Sequence, residues 1–262
     1  MKLPHNAKIV TLDIETAPIR ACVWSLWKQT VGLNQISGEW FILSFCAKWI
    51  HKDEVVYDDM RGKVATEDDR HLLDKLWHIL NNADIVVTQN GVAFDHKKIN
   101  ARFLINGFPP PSPYKMIDTK LMAKQKFAFT SNRLEWMADK LSPVKKEKHK
   151  KFPGFELWVE CMKDNPEAWD EMKEYNIPDV TSTEQVYLKM RSWIDGHPNV
   201  TVYDGRVDLR CHRCGSDNLV KRGSYYTDTG QYQRYRCKSC GGWSRSRYTE
   251  NPVAKRKSLI KM

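Results

Sequence analysis

The stretch Ile9-Val10-Thr11-Leu12-Asp13-Ile14-Glu15-Thr16 carries two carboxylates near the end of an apolar run. The apolar residues favour a buried β-strand. Residues i and i+2 of a strand point to the same side, so Asp13 and Glu15 can reach one ligand together while Ile14 faces the packing. Neighbouring anions repel each other and lose hydration beside a core, and a cation that joins them offsets both effects. Oxygen ligands of this kind suit a hard divalent metal, Mg²⁺ or Mn²⁺.

Two further acids lie in settings that favour the same site. Asp95 follows an apolar strand and the turn Asn90-Gly91, and it begins a predicted helix, where the helix dipole favours an anion. Taken alone, Asp95 would be interpreted as a helix N-cap. Tyr175 and Asp179 are four residues apart, so a phenol and a carboxylate can share one helical face. Pro178 predicts either a kink or the first turn of a new helix between them.

The order of the predicted elements indicates a mixed α/β fold. Apolar runs predict strands, three- and four-residue apolar spacings predict helices, and Ser131 is the expected N-cap of one of these helices. The predicted strands cover about 8–15, 40–50, 55–57 and 84–88, and the predicted helices lie around 72–80, 95–104, 131–141, 167–175 and 180–193. The charged segment 145–151 is expected to be a solvated loop, and contact with a phosphate backbone beside the acidic residues is the alternative.

Charge divides the chain into two parts. The 262 residues are 41% hydrophobic, which allows one full-sized domain and a small one. From Gly205 onward there are 14 Lys/Arg and 4 Asp/Glu, so this part carries the whole net charge of +10. A basic module beside a neutral body suggests a module that holds a polyanion, and a solubilising tail is the alternative.

The chain has no apolar run of the ~20 residues that span a bilayer, and its first residues do not resemble a signal peptide. We therefore expect no membrane association and a cytoplasmic location.

The cysteines form two groups. Cys22, Cys46 and Cys161 are scattered and are expected to be buried structural thiols. Cys211-His212-Arg213-Cys214 and Cys237-Lys238-Ser239-Cys240 are two Cys-x-x-Cys pairs separated by 22 residues. In an intracellular chain this spacing predicts one Zn²⁺ held by four thiolates, with His212 outside the ligand set. Gly215 and Gly241 follow the pairs and can adopt the positive φ that such turns require.

Residues 8–194 resemble the DEDD superfamily of 3′-5′ exonucleases in its tyrosine form, which has a ribonuclease H-like fold. The resemblance rests on Asp13-Ile14-Glu15, on Asn90 with Phe94-Asp95, and on Tyr175-x-x-x-Asp179, in that order. It is closest to proofreading domains of family B polymerases and to stand-alone exonucleases of phages and bacteria. The segment Trp24 to Ser37 departs from the family pattern.

The resemblance implies two Mg²⁺ or Mn²⁺ ions and metal-dependent removal of nucleotides from a 3′ end. Asp13, Glu15 and Asp179 would hold the ion that binds the attacking water, Asp13 and Asp95 would hold the second, and Tyr175 would orient the water. Thr16, Asn90 and Phe94 are the expected substrate contacts. Single-stranded DNA or 3′ ends are the expected substrate, DNA is favoured over RNA, and replication or repair proteins are further expected partners. The alternatives are an inactive nucleic-acid-binding protein and a structure-specific or transposase-like endonuclease.

The C-terminal segment resembles the zinc ribbons of transposases, through Cys214-Gly-Ser-Asp-Asn and Arg234-Tyr-Arg-Cys-Lys-Ser-Cys. Its aromatic and basic residues alternate around Tyr225 and Tyr232, as in surfaces that stack bases and contact phosphates. We therefore predict that it binds nucleic acid, and a protein-docking ribbon is the alternative. The expected domains are a ribonuclease H-like domain at 1–204, a zinc ribbon at 205–250 and a basic tail at 251–262.

Overall fold

The computed structural model describes residues 4–50, 52–144 and 151–260. Most of the charged segment predicted at 145–151 lies outside these residues, and the basic tail is described as far as Ile260. The chain forms two compact units. One is Lys8–Tyr187, and the other comprises the described residues 4–7 and 188–260. The domain limits expected at 204 and 250 stay predictions. No helix in the described part of the chain is long and apolar enough to cross a membrane.

The larger unit is built on a five-stranded mixed sheet with helices around it, as the sequence predicts. The strands of this sheet are β1 (Ile9–Thr16), β4 (Ile42–Trp49), β5 (Val55–Asp59), β6 (Ile85–Thr88) and β7 (Lys115–Asp118), and the short strands β2 (Arg20–Ala21) and β3 (Ile36–Gly38) pair with each other outside it. Its helices are α1 (Arg70–Asn81), α2 (Asp95–Ile105), α3 (Thr119–Lys126), α4 (Leu134–Leu141), α5 (Glu156–Met162) and α6 (Pro166–Met190), the last of which continues into the second unit.

The strand that carries Asp13 and Glu15 lies at the centre of this sheet, whose order is β5-β4-β1-β6-β7. β1 is antiparallel to β4 and parallel to β6. In the β1 to β4 register, Asp13 lies opposite Cys46 and Glu15 lies opposite Ser44. Ile14 is buried, as the alternation of a strand predicts. The two carboxylates therefore share one face of the sheet.

The core forms where apolar helix faces cover this sheet. Leu72, Leu73, Leu76 and Leu80 of α1 are buried, and their three- and four-residue spacing places them on one side of the helix. They belong to one cluster with residues of β1 and β4 and with the fully buried Trp169 of α6. This packing holds the central strand against the long helix.

Three local predictions need correction or refinement. Ser131 is not the N-cap of α4, because the helix begins at Leu134 with Arg133 at the cap, and the Ser131 hydroxyl accepts a hydrogen bond from the Arg133 N–H. Pro178 does not divide the last helix, since it lies inside the continuous α6. Cys46 and Cys161 are buried as predicted, but Cys22 is exposed because it follows β2, which pairs with β3 outside the main sheet.

The second unit contains an antiparallel sheet of three strands in the order β10-β9-β8. The strands are β8 (Leu219–Thr227), β9 (Gly230–Cys237) and β10 (Trp243–Arg245), and a short helix α7 (Val253–Ser258) follows. Cys211, Cys214 and Cys237 form a small buried cluster in this unit, with Leu219 and Cys240 packed against it. A core of this size is too small to stabilise a module without a further crosslink.

Candidate active site

Three carboxylates come together at the face of the central strand. One oxygen from each of Asp13, Glu15 and Asp179 lies within 4.8 Å of the other two. Asp13 and Glu15 are half-buried in β1, and Asp179 is buried in α6. Asp179 lies 166 positions after Asp13 and 164 after Glu15, and it joins them in one acidic cluster because α6 packs beside the central strand.

Asn176 holds this cluster in place. Its side-chain amide donates a hydrogen bond of 2.6 Å to Oδ2 of Asp13, and the residue is fully buried. Asn176 and Asp179 are separated by three residues, so they lie on the same side of α6. The amide therefore fixes one oxygen of Asp13.

Asp95 lies against the same strand but outside the group of three. Its Oδ1 accepts a hydrogen bond of 3.0 Å from the backbone N–H of Ile14, between the two carboxylates of β1. Asp95 is buried as the first residue of α2. Burial raises its pKa to about 7, although the Ile14 hydrogen bond opposes the rise, and nearby Asp118 adds to it. A cation beside Asp95 would favour its charged form.

Asp118 organises the turn that leads to Asp95. Its carboxylate accepts hydrogen bonds of 3.1 Å from the backbone N–H groups of both Asn90 and Val92. It also caps α3 through the N–H groups of Lys120 and Leu121. Asn90 has φ +71°, a conformation that asparagine tolerates better than most residues.

The same turn requires glycine at position 91. A Cβ at Gly91 would lie 2.3 Å from Oγ1 of Thr88, which is buried in β6. Contact at that distance forces one group to move. The absence of a side chain at Gly91 therefore allows the turn to lie close to β6.

The other predicted site residues lie around these acids. Tyr175 is half-buried in α6, and its ring makes an edge contact with Trp158, at 6.0 Å between centroids. Thr16 is half-buried at the end of β1, where the pairing with β4 shifts after Glu15. Asn90 accepts a hydrogen bond from Nζ of Lys120, and Phe94 is exposed immediately before α2. Their contacts with substrate stay predictions.

The donor set of the acidic cluster fits a divalent cation. Three carboxylates at this separation repel each other, and a hard cation prefers oxygen ligands of this kind. The Oδ1 atom of Asn176 is also buried with no hydrogen-bond partner. Cys46 lies opposite Asp13, but burial and the neighbouring carboxylates raise its thiol pKa, which disfavours a thiolate ligand. The site therefore suits Mg²⁺ or Mn²⁺.

The four paired cysteines form a second group with metal-ligand geometry. The sulfur of Cys211 lies 3.7 Å from that of Cys240, and the sulfur of Cys214 lies 3.7 Å from that of Cys237. A disulfide requires about 2.05 Å. Four sulfurs bound at 2.3 Å around a tetrahedral Zn²⁺ would be about 3.8 Å apart. The sulfurs are thus spaced as zinc ligands.

The turns around these cysteines support the same arrangement. Gly215 and Gly241 have φ of +73° and +77°, which confirms the conformation predicted for them. Their N–H groups donate 2.8 Å and 2.9 Å hydrogen bonds to the carbonyls of Cys211 and Cys237. His212 lies outside the group of four sulfurs, and its Nδ1 is hydrogen-bonded to Ser244 at 2.9 Å.

The family of the chain follows from a match over most of the larger unit. A family model described as RNase_H superfamily matches residues 29–191. The chain belongs to the RNase_H superfamily. Among solved structures, this RNase_H superfamily chain is similar to the family B DNA polymerase from the hyperthermophilic archaeon Pyrobaculum calidifontis, at 15% identity and a TM-score of 0.52. The match covers 71% of this chain and 24% of the polymerase chain. No curated protein sequence matches significantly.

Membership of the RNase_H superfamily supports a nuclease function in general terms, and the structural match shows the shared fold. The sequence predicted the grouping of Asp13, Glu15 and Asp179 but missed Asn176 and Asp118. Asn176 had a signal, because it precedes Asp179 by three residues, a spacing that places both on one side of a helix that continues through Pro178. Asp118 also had a sequence signal, since an aspartate just before a helix is a typical N-cap residue.

Proposed function

We propose that this chain is a metal-dependent 3′-5′ exonuclease that hydrolyses phosphodiester bonds, with DNA favoured over RNA. The observation that carries the proposal is the cluster of Asp13, Glu15 and Asp179, whose oxygens lie within 4.8 Å of one another in an RNase_H superfamily fold. The tyrosine four residues before Asp179 favours the DEDD exonuclease arrangement over an endonuclease. A bacterial or phage-infected cytoplasm is the proposed setting, with replication or repair proteins as further partners.

Each acidic residue has a proposed position in this chemistry. Asp13, Glu15 and Asp179 would hold one Mg²⁺ or Mn²⁺, and Asp13 with Asp95 would hold a second. Ions bound there would lower the pKa of a water and offset the charge of the phosphate and the leaving 3′ oxygen. The Asn176 amide keeps Asp13 oriented, and the Ile14 N–H keeps Asp95 beside β1.

The remaining roles concern the nucleotide and the attacking water. The Tyr175 hydroxyl would orient the water, while its ring is held by the edge contact with Trp158. Thr16, Asn90 and Phe94 would contact the terminal nucleotide. Phe94 is an exposed aromatic ring beside Asp95, which suits stacking on a base.

The second proposed function is nucleic-acid binding by the C-terminal module, as a zinc ribbon within 205–250 that is followed by a basic tail at 251–262. The four-sulfur group supports one Zn²⁺. The net charge of +10 carried from Gly205 onward supports a polyanionic ligand. In this proposal, substrate capture and hydrolysis belong to different parts of the chain.

The experiment is a time course on 3′-labelled and 5′-labelled single-stranded DNA and RNA with Mg²⁺, Mn²⁺ or chelator. A 5′ label should appear on a ladder of shortening products, while a 3′ label should be released at once as a mononucleotide. Asp13→Asn with Asp179→Asn should abolish cleavage, and the exposed Asp74→Asn serves as a matched control that keeps it. Circular dichroism checks that both variants fold.

Three outcomes would overturn the proposal. Wild-type cleavage rates in the double variant would exclude the acidic cluster as the site. Cleavage of a circular single strand would favour an endonuclease, because an exonuclease needs an end. Binding of DNA without any cleavage in Mg²⁺ or Mn²⁺ would favour an inactive binding protein.

A further inference from the structure

One side of the sheet β8–β10 carries alternating basic and aromatic residues. Directly paired residues of antiparallel strands point to the same side. Trp243 pairs with Arg236 and Arg245 pairs with Arg234 between β10 and β9, and Tyr225 pairs with Tyr232 between β8 and β9. Positions 232, 234 and 236 alternate along β9 and therefore share that side. We call it the arginine–aromatic face: Tyr225, Tyr232, Arg234, Arg236, Trp243 and Arg245.

The arginines of this face lie over its rings. The guanidinium of Arg245 is 4.1 Å from the ring centroid of Tyr232 and 5.6 Å from that of Tyr225. Those of Arg234 and Arg236 are 4.8 Å and 5.9 Å from the ring of Trp243. Such stacking holds the planar cations in place and leaves their N–H groups able to contact phosphate.

The face remains accessible although it is rich in aromatic surface. Trp243 is 44% exposed and Tyr225 is 46% exposed, so each ring retains surface for a ligand. Both line a groove of about 760 Å³ together with Arg234 and Arg245. The acidic side chain that lines this groove, Asp208, is paired with Arg206 at 2.9 Å, which reduces its repulsion of an anion.

The opposite side of the same sheet differs in composition. It carries the neutral polar residues Gln231 and Gln233 along β9, paired with Tyr226 and Ser224 of β8. Lys221, paired with Tyr235, also lies there. The first face thus has three arginines lying over its rings, and the second face, with Lys221 and Tyr226, provides matched control positions.

Resting on the proposed nucleic-acid binding by this module, we propose that the arginine–aromatic face binds single-stranded nucleic acid. Unpaired bases stack on Tyr225 and Trp243, and Arg234, Arg236 and Arg245 contact the phosphates. A duplex keeps its bases stacked on each other and offers the face only its phosphates, whereas a single strand offers both groups. An acidic protein segment would use the charges without requiring the rings.

The spacing of the two open rings suits separate bases. In the strand register, Tyr225 pairs with residue 232 of β9 and Trp243 pairs with residue 236, so the two rings are four residues apart along β9. Four residues of a strand correspond to roughly 13 Å. One base cannot stack on both rings at that distance, so each ring takes its own base along an extended strand.

The test measures binding with the full chain carrying Asp13→Asn and Asp179→Asn, so that the probe is not cleaved. The probes are fluorescein-labelled oligo(dT) and a duplex of the same length, followed by fluorescence anisotropy. Tyr225→Ala and Trp243→Ala are compared with Tyr226→Ala, and Arg245→Gln is compared with Lys221→Gln. Zinc content and circular dichroism are measured for every variant, and a variant that loses zinc is replaced by Trp243→Leu or Tyr225→Leu.

We expect oligo(dT) to bind more tightly than the duplex, and Tyr225→Ala and Trp243→Ala each to weaken its binding about tenfold. Tyr226→Ala should have little effect. Arg245→Gln should reduce the slope of log affinity against log salt by about 0.7, and by more than Lys221→Gln does. Equal losses on both sides of the sheet, or equal affinity for duplex and single strand, would overturn the inference.

A second measurement separates this inference from the proposed exonuclease. Trp243→Ala is placed in the cleavage-competent chain and assayed at saturating and at limiting substrate. Cleavage should be normal at saturation and slower at limiting substrate. If the chain shows no cleavage and the variants still lose binding, the exonuclease proposal fails and the inference about the arginine–aromatic face is supported. If cleavage is normal at every concentration and no binding loss occurs, only the face fails.

Discussion

Asp69→Asn is expected to destabilise the larger unit severely. Asp69 is fully buried before α1, and its carboxylate receives two hydrogen bonds from Arg102 of α2, at 2.8 Å and 2.7 Å. It also accepts a 2.9 Å hydrogen bond from the N–H of Ile42 at the start of β4. One carboxylate therefore joins two helices to the strand that pairs with the acidic β1.

The expected magnitude follows from what the substitution leaves behind. Asparagine removes the charge and turns an NH₂ group toward the donors of Arg102, whose side chain is only 12% exposed. Breaking a buried ion pair by removing one partner costs about 3–5 kcal/mol, because the other charge stays desolvated. This is a large part of a typical stability of about 5–15 kcal/mol.

The assay is urea unfolding followed by circular dichroism, with Asp58→Asn as the control. Asp58 pairs with Lys75 at 2.6 Å, but the Lys75 side chain is 56% exposed, so its loss should cost less than about 1 kcal/mol. Adding Arg102→Met to Asp69→Asn should restore part of the stability. If Asp69→Asn costs no more than Asp58→Asn, the buried pair does not hold the unit together in the way that we argue.

Three further predictions concern the two candidate metal sites. Gly91→Ala should lower the free energy of unfolding by about 1–3 kcal/mol, because the added Cβ would lie 2.3 Å from Oγ1 and 2.5 Å from Cβ of Thr88, whereas Gly205→Ala, whose added Cβ would meet nothing within 4 Å, should change it little; thermal unfolding of both variants measures this, and equal loss in both would contradict it. Asn176→Ala should weaken Mn²⁺ binding about 10-fold to 100-fold by releasing Asp13, as measured by titration calorimetry, and unchanged affinity would contradict that role. Cys214→Ser should release the Zn²⁺ and unfold the sheet β8–β10 while Lys8–Tyr187 stays folded, as measured by zinc content and hydrogen exchange; retained zinc would refute the four-sulfur site.

The part of the site that depends on local periodicity was predictable from the sequence. The two-residue period of a strand places Asp13 and Glu15 on one side, and the apolar residues around them mark the strand. Tyr175 and Asp179 were predictable in the same way from helical spacing, although Pro178 suggested a break. The helix continues through Pro178, and Thr181 hydrogen-bonds to the carbonyls of Ile177 and Pro178 in the following turn. Tertiary packing outweighs the local cost of proline there.

Contacts between distant segments were not predictable in this way. Asp118 supports the turn at Asn90 through backbone N–H groups 26 and 28 residues away, and such a bond leaves no periodic pattern in the sequence. Strands β2 and β3 were missed because they are only two and three residues long. The exposure of Cys22 was missed for the same reason, since this residue follows β2 outside the main sheet.

The arginine–aromatic face combines a local pattern with a long-range constraint, and the cysteines supply the constraint. Alternation along β9 predicts that Tyr232, Arg234 and Arg236 share a side, but it does not bring Trp243 and Arg245 to them. That register is set where the chain turns between Cys237 and Gly242, whose backbones are joined by a 2.9 Å hydrogen bond at the second cysteine pair. Loss of the zinc should therefore remove the single-strand binding together with the fold of the module, because one turn carries two of the four sulfurs and also aligns β10 with β9.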